Sequence, residues 1–205
     1  MERRELLKII AVLTGGALVG GDVFLSGCRT SVKEGAGLLS ASNIAVLDEV
    51  GDTIIPVTDT PGAKAAKIGE FMNVYATDCY RPEVQKAFTE GLVSLDETCK
   101  KQFNKDFVNI SPEQRTVVLT TLEAEAKEYN SKKNEKEKPA RDAAKTAMKE
   151  FYGEPPHYYT LMKQLTLLGY FSSEIGMKQA LRFLPIPGKY DGAYPYKKGD
   201  KAWAI

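Results

Sequence analysis

The chain has 205 residues, with 28 Lys and Arg against 27 Asp and Glu and a formal net charge of +1. So even a balance leaves no basic field for nucleic acid and no acidic tail for a cationic partner. The length fits one domain behind a leader, since domains run about 100–150 residues, and is short for a flavin dehydrogenase with its own substrate domain.

Residues 1–27 read as a twin-arginine-type lipoprotein signal peptide. The chain opens on Arg3, Arg4 and Lys8, runs through an apolar segment from Ile9 to Leu25, and closes on Leu25-Ser26-Gly27-Cys28. A basic start, a short apolar core and small residues before a cut site are the features of a secretory leader. Arg3 and Arg4, with Leu6, Leu7 and Lys8, form the export signal, of the kind read by the exporter that moves folded proteins. Cys28 is the lipidation residue and the first residue of the mature chain. A membrane span needs about 20 strongly apolar residues, whereas Gly15, Gly16, Gly20, Gly21 and Asp22 dilute this stretch. The expected location is the periplasmic side of the envelope, with the chain held to a membrane by acyl chains, several of which anchor stably where one is marginal.

Residues 28–41 are expected to be a lipid-anchored tether, 42–183 a helical domain and 184–205 an extended tail. Ser40 or Ser42 caps a first helix in which Ile44, Leu47, Val50 and Ile54 recur at helical spacing until Pro56. A second helix is expected from about Ala63 to Cys79, with Ile68, Phe71, Met72 and Tyr75 on one face. Pro82 suits a first helical position, and Val84, Phe88, Leu92, Leu95, Cys99 and Phe103 follow in steps of three and four. Ser111, Pro112 and Gln114 predict a capping box, with Val117, Val118, Leu122 and Tyr129 as the apolar side of that helix. Asn130 to Arg141 alternates charges around Pro139 and reads as a solvated helix end or loop. Helix is expected again over Asp142–Tyr152, from about His157 to Phe171, and from Ser172-Ser173 toward Phe183. Strand-like alternation is nearly absent, so the fold class is all-α, a single bundle of about six or seven helices. The tail has three prolines and two glycines between Leu184 and Tyr196 and cannot continue as helix. Its Tyr190, Tyr194, Tyr196 and Trp203 are the partner-binding candidates, because aromatics of this type anchor interfaces; folding back over the bundle is the alternative.

Catalytic and metal residues are assigned to none. His157 is the only histidine, so it offers no His pair or metal cluster, and its place at a helix start points to capping or surface. There is no Cys-x-x-Cys-His for covalent haem and no nucleophile-elbow sequence. The acidic pairs Asp48/Glu49 and Glu123/Glu125 fall on faces expected to be solvated. If a hairpin turns at Tyr80-Arg81, Cys99 lies roughly 25 Å from Cys79 along its helix, beyond disulfide reach, and buried free thiols are expected.

Three stretches carry a resemblance. Ile54-Ile55-Pro56 with Thr58-Asp59-Thr60-Pro61-Gly62-Ala63 is similar to an early motif of the gluconate 2-dehydrogenase subunit 3 family. The segment from Leu165 to Gly176 resembles its most characteristic stretch. Pro187 to Gly192, Tyr194-Pro195-Tyr196 and Lys201-Ala202-Trp203 resemble its C-terminal signature. The twin-arginine leader belongs to the family's usual pattern, and the lipobox to some members only. The resemblance implies a non-catalytic small subunit that holds no cofactor itself. The implied partner is a flavoprotein large subunit of the glucose–methanol–choline oxidoreductase type, with FAD, oxidising a sugar, sugar acid or polyol. In the family a cytochrome c subunit, carrying haem, often takes the electrons, and the small subunit's leader carries the leaderless flavoprotein through the twin-arginine export machinery. The competing reading is a free-standing helical lipoprotein that binds a ligand or scaffolds the envelope.

Overall fold

The computed structural model describes residues 37–186, 188 and 191–204. Arg3, Arg4, Leu6, Leu7, Lys8, Cys28 and Tyr190 lie outside the described residues. The rest is all-α, as expected: α1 (Ala41–Ile54), α2 (Ile68–Cys79), α3 (Pro82–Phe103), α4 (Pro112–Thr146) and α5 (Tyr158–Ser172). Shorter helical turns occupy Ala63–Ala66, Phe107–Asn109 and Gly176–Ala180, and two-residue strands β1 (Arg182–Phe183) and β2 (Trp203–Ala204) follow.

Local chemistry sets the helix ends. The Ser40 hydroxyl accepts the Asn43 N–H at 3.3 Å at the start of α1. At α4 the capping box is complete: Ser111 Oγ accepts from Gln114 N at 3.3 Å, and Gln114 Oε1 accepts from Ser111 N at 3.0 Å. Pro82 and Pro112 take early positions where the absent N–H has no helical partner to lose. Asn104 closes α3 with φ of 54°, a left-handed conformation that asparagine tolerates better than most side chains.

The periodic apolar residues meet in one core. Leu47, Val50, Ile68, Met72, Phe88, Leu95, Cys99 and Met162 are fully buried, each of the larger ones contributing about 1.5–3 kcal/mol. The central element is α5, which packs on all four other helices. Gly91 of α3 makes one of those contacts possible, since the Tyr158 ring fills the space a Cβ would need. The Tyr170 hydroxyl donates to the Pro61 carbonyl at 2.6 Å, so two of the stretches that carry the family resemblance meet in space.

Several expectations are corrected. The helix expected over Ala63–Cys79 breaks at Lys67, which has φ of 54°. There Asp48 of α1 accepts the Gly69 N–H at 2.8 Å and serves as the cap of α2 from a neighbouring helix. Asp48 and Glu49 are therefore not a solvated pair; Glu49 bonds to Lys64 and Arg115. The break expected around Asn130–Arg141 does not occur, because α4 runs unbroken through Pro139 to Thr146. Proline costs the helix the bond to the Glu135 carbonyl, but both residues are exposed and water can take its place. The residues after Thr146 are a turn and irregular chain, not helix to Tyr152, and they fold back along α4. Glu137 is buried there, pairing with Lys133 at 2.8 Å and accepting the Glu154 N–H at 2.6 Å. On the apolar side of α4, Leu119 and Ala126 are buried while Val117 and Tyr129 are exposed. Leu38 and Leu39, at the end of the expected tether, already belong to the bundle. Their N–H groups donate to Thr77 Oγ1 at 2.9 Å and Asn73 Oδ1 at 3.0 Å. Both thiols are free, with Cys99 buried but Cys79 exposed.

Candidate partner-binding surface

His157 is committed to structure. The Nδ1 of His157 accepts the Tyr159 N–H at 3.3 Å and caps α5, while the His157 backbone N–H donates to Asn130 Oδ1 at 3.1 Å. Its ring stacks on Tyr158 at 4.4 Å. Burial holds the imidazole below the usual histidine value, against a weaker upward pull from Glu125. A depressed value means that the unfolded chain takes up the proton first. The stability from the neutral cap is therefore full above about pH 6.5 and is lost as the pH falls through the folded value. Urea denaturation should show the wild type losing about 1 kcal/mol between pH 7.5 and 5 that His157→Asn, a cap that does not titrate, retains. Equal losses in both proteins would remove His157 from the cap.

Cys99 is inert as a nucleophile, burial pushing its thiol up to about 11. Glu123 is tied to Lys163 at 2.5 Å. Among the described residues no three His, Cys, Asp or Glu side chains gather as a metal site would require, and no helix is long and apolar enough to cross a membrane.

Backbone pairing joins the residues after the last helical turn to Trp203–Ala204. β1 and β2 run parallel in the register Arg182 with Trp203 and Phe183 with Ala204. Arg182 N–H donates to the Ala202 carbonyl at 2.8 Å and Leu184 N–H to that of Ala204 at 3.2 Å. The short helix expected to reach Phe183 therefore stops at Ala180, because β2 claims the next backbone groups. Arg182 organises the candidates: its guanidinium lies 4.5 Å from the Trp203 ring and 5.8 Å from the Tyr194 ring. It also donates to the Tyr194 hydroxyl at 2.9 Å, and the two rings meet edge to face at 5.7 Å. Tyr194 and Trp203 are thus brought together, half exposed, whereas Tyr196 stands apart at 78% exposure. Arg182 could not be singled out from the sequence; a cation 12 and 21 residues from its two rings leaves no local pattern.

The stretch from Leu165 to Gly176 that carries part of the resemblance divides by helix face. Leu165, Thr166, Gly169 and Tyr170 are buried, but Leu167, Leu168 and Phe171 are exposed on the opposite side of α5. Of 17 large apolar residues exposed among the described residues, nine lie from Leu167 onward in the sequence. Exposed apolar residues scattered singly are ordinary, whereas a concentration marks a contact surface.

The profile of gluconate 2-dehydrogenase subunit 3 matches residues 41–188, from the first residue of α1 into the tail. Comparisons with curated proteins and with solved structures gave no match. A helical domain whose histidine is spent on its own fold, and whose exposed apolar residues are concentrated after Leu167 in the sequence, suits a subunit that binds another protein. With the profile spanning most of its length, the chain belongs to the gluconate 2-dehydrogenase subunit 3 family, the accessory subunits of a dehydrogenase.

Proposed function

We propose that this chain escorts a folded, FAD-loaded dehydrogenase large subunit of the glucose–methanol–choline type through the twin-arginine exporter. It then holds that enzyme at the membrane through lipid on Cys28. The observation that carries the reading is the leader, Arg3-Arg4-Glu5-Leu6-Leu7-Lys8 through Leu25-Ser26-Gly27-Cys28, joined to an accessory-subunit domain that begins at Ala41. FAD is inserted in the cytoplasm, so the large subunit has to cross already folded, and a bound companion bearing the export signal meets that need. The oxidation of a sugar, sugar acid or polyol belongs to the large subunit, with electrons passing to a haem subunit or to quinone nearby.

Two variants separate the roles. Arg3→Lys with Arg4→Lys should leave the flavoprotein in the cytoplasm, folded and active, with its periplasmic activity falling to background. Cys28→Ala should allow export but shift the activity from the membrane to the soluble periplasmic fraction. Unchanged export of the flavoprotein in the double lysine variant would refute the escort, and membrane retention in the Cys28 variant would refute the anchor.

A further inference from the structure

The central helix α5 carries apolar residues on two faces. Leu161, Met162, Leu165 and Tyr170 face the core, yet Leu167, Leu168 and Phe171 remain 40%, 47% and 40% exposed on the other side. Its inner face packs on the other four helices, and the outer apolar residues have no partner among them. The outer face also lacks free charge. Gln164 and Ser172 flank it, Lys163 is bonded to Glu123, and Lys178 is bonded to Glu174 at 2.6 Å. Elsewhere on the helices the exposed valines Val74, Val93 and Val117 stand singly. Gly176 lies against the backbone of Tyr170 and Phe171, and farther along the chain Phe183, Leu184 and Trp203 are also exposed.

We infer that Leu167, Leu168 and Phe171 form the seat of the dehydrogenase large subunit, which meets them with an apolar, uncharged surface. The inference rests on the accessory role and adds where the contact lies and what holds it. Membership in a family of dehydrogenase accessory subunits supplies the occupant, and since a stable interface buries about 800 Å² per partner, the three residues are the apolar centre of a larger contact. Because burial of apolar surface holds this contact, salt has little to screen.

The test titrates the chain against the FAD-containing large subunit separated from the native complex. Phe171→Ala should weaken binding about tenfold, and Phe171→Asp or Leu168→Asp by about 100-fold, as central apolar anchors do. Val117→Asp, exposed on α4, should bind as the wild type does. Raising salt from about 50 to 500 mM should change the wild-type affinity less than about threefold. Unaltered thermal melting of the variants shows that they fold, and Phe171→Ala covers the case in which an aspartate does not. Undiminished binding by the Phe171 and Leu168 variants, or a steep loss of affinity with salt, would overturn the inference. So would an isolated chain that proves to be a dimer and is split by Phe171→Asp, since a second copy would then own this face. A wild-type chain that holds no flavoprotein would bring down the escort reading as well, whereas wild-type binding with indifferent variants would remove only this docking face.

Discussion

Replacing Arg115 with methionine is expected to lower the stability of the domain by about 3 kcal/mol, the cost of breaking a largely buried ion pair and its hydrogen bonds. Arg115 sits early in α4 and holds three elements together. Its Nε donates to the Phe107 carbonyl at 3.2 Å, one terminal nitrogen donates to the Val108 carbonyl at 2.6 Å, and the other bonds to Glu49 of α1. Both side chains are only 14% exposed, so water cannot fully replace what is lost. Methionine fills the volume but leaves two carbonyls without their donor and Glu49 with Lys64 alone, a lysine 53% exposed and correspondingly weak as a partner. For a domain of this size the loss corresponds to roughly 6–12 °C in Tm. Arg115→Lys should recover less than half, because one ammonium cannot reach all three acceptors. The pH dependence supplies a second check. Burial by itself would raise the Glu49 carboxyl, but hydrogen bonds and charge from Lys64 and Arg115 outweigh it and leave it below the usual value. That contribution is present above the ordinary glutamate value, about 4.3, and is lost as the pH falls through the folded one. Urea titrations at pH 7 and pH 4 should show a fall for the wild type that Glu49→Gln lacks; a fall of equal size in both would show that the pair does not carry this part of the stability.

Gly69→Ala gives the second large effect, and its sign is diagnostic. In an exposed helix the change favours folding by about 1 kcal/mol. Here Gly69 lies at the start of α2, pressed against α1, where a Cβ would collide with the Ile44 carbonyl oxygen and crowd the Asp48 carboxylate. A backbone carbonyl cannot rotate away as a side chain can, so the two helices must separate and the bond from Gly69 N–H to Asp48 lengthens. Overpacking costs about 1–3 kcal/mol, and a weakened bond to a charged acceptor about 1.5–3 kcal/mol. Either exceeds the propensity gain, so the net expectation is a loss of about 2 kcal/mol or more in chemical denaturation. A stabilised variant would mean that α1 and α2 do not approach this closely.

The helices were readable where their own residues dictate them. Ser111, Pro112 and Gln114 write a start whose bonds span only three residues, and Phe88, Leu92, Leu95 and Cys99 write a stripe whose period is the helix's own. Pro139 misleads for the opposite reason. Its cost is local and modest on a solvated face, whereas the contacts that hold the end of α4, Glu137 with Lys133 and the returning Glu154, span up to 17 residues. Lys67 misleads in the same way, since the cap that lets α2 begin anew at Ile68 comes from Asp48, 21 residues away from the Gly69 it holds.

The C-terminal part of the chain shows the same division. Tyr194, Tyr196 and Trp203 could be singled out by type, because aromatic residues in a proline- and glycine-rich tail are out of place in a disordered segment. That Tyr194 and Trp203 gather around Arg182 while Tyr196 stays apart depends on the pairing of β1 with β2. For Leu167, Leu168 and Phe171 the composition of α5 does not distinguish core from surface, since apolar residues on both faces read as core until the neighbouring helices are placed.

By itself, then, the order of residues determined an all-α class, most helix starts and the family, because each of these is written in spacings shorter than about two helical turns. The tertiary structure alone decided which acids are buried, where α2 begins, how the tail closes and which side of α5 remains bare. Those outcomes rest on contacts between residues far apart in the chain, and burial is a property of the whole packed core, not of any segment.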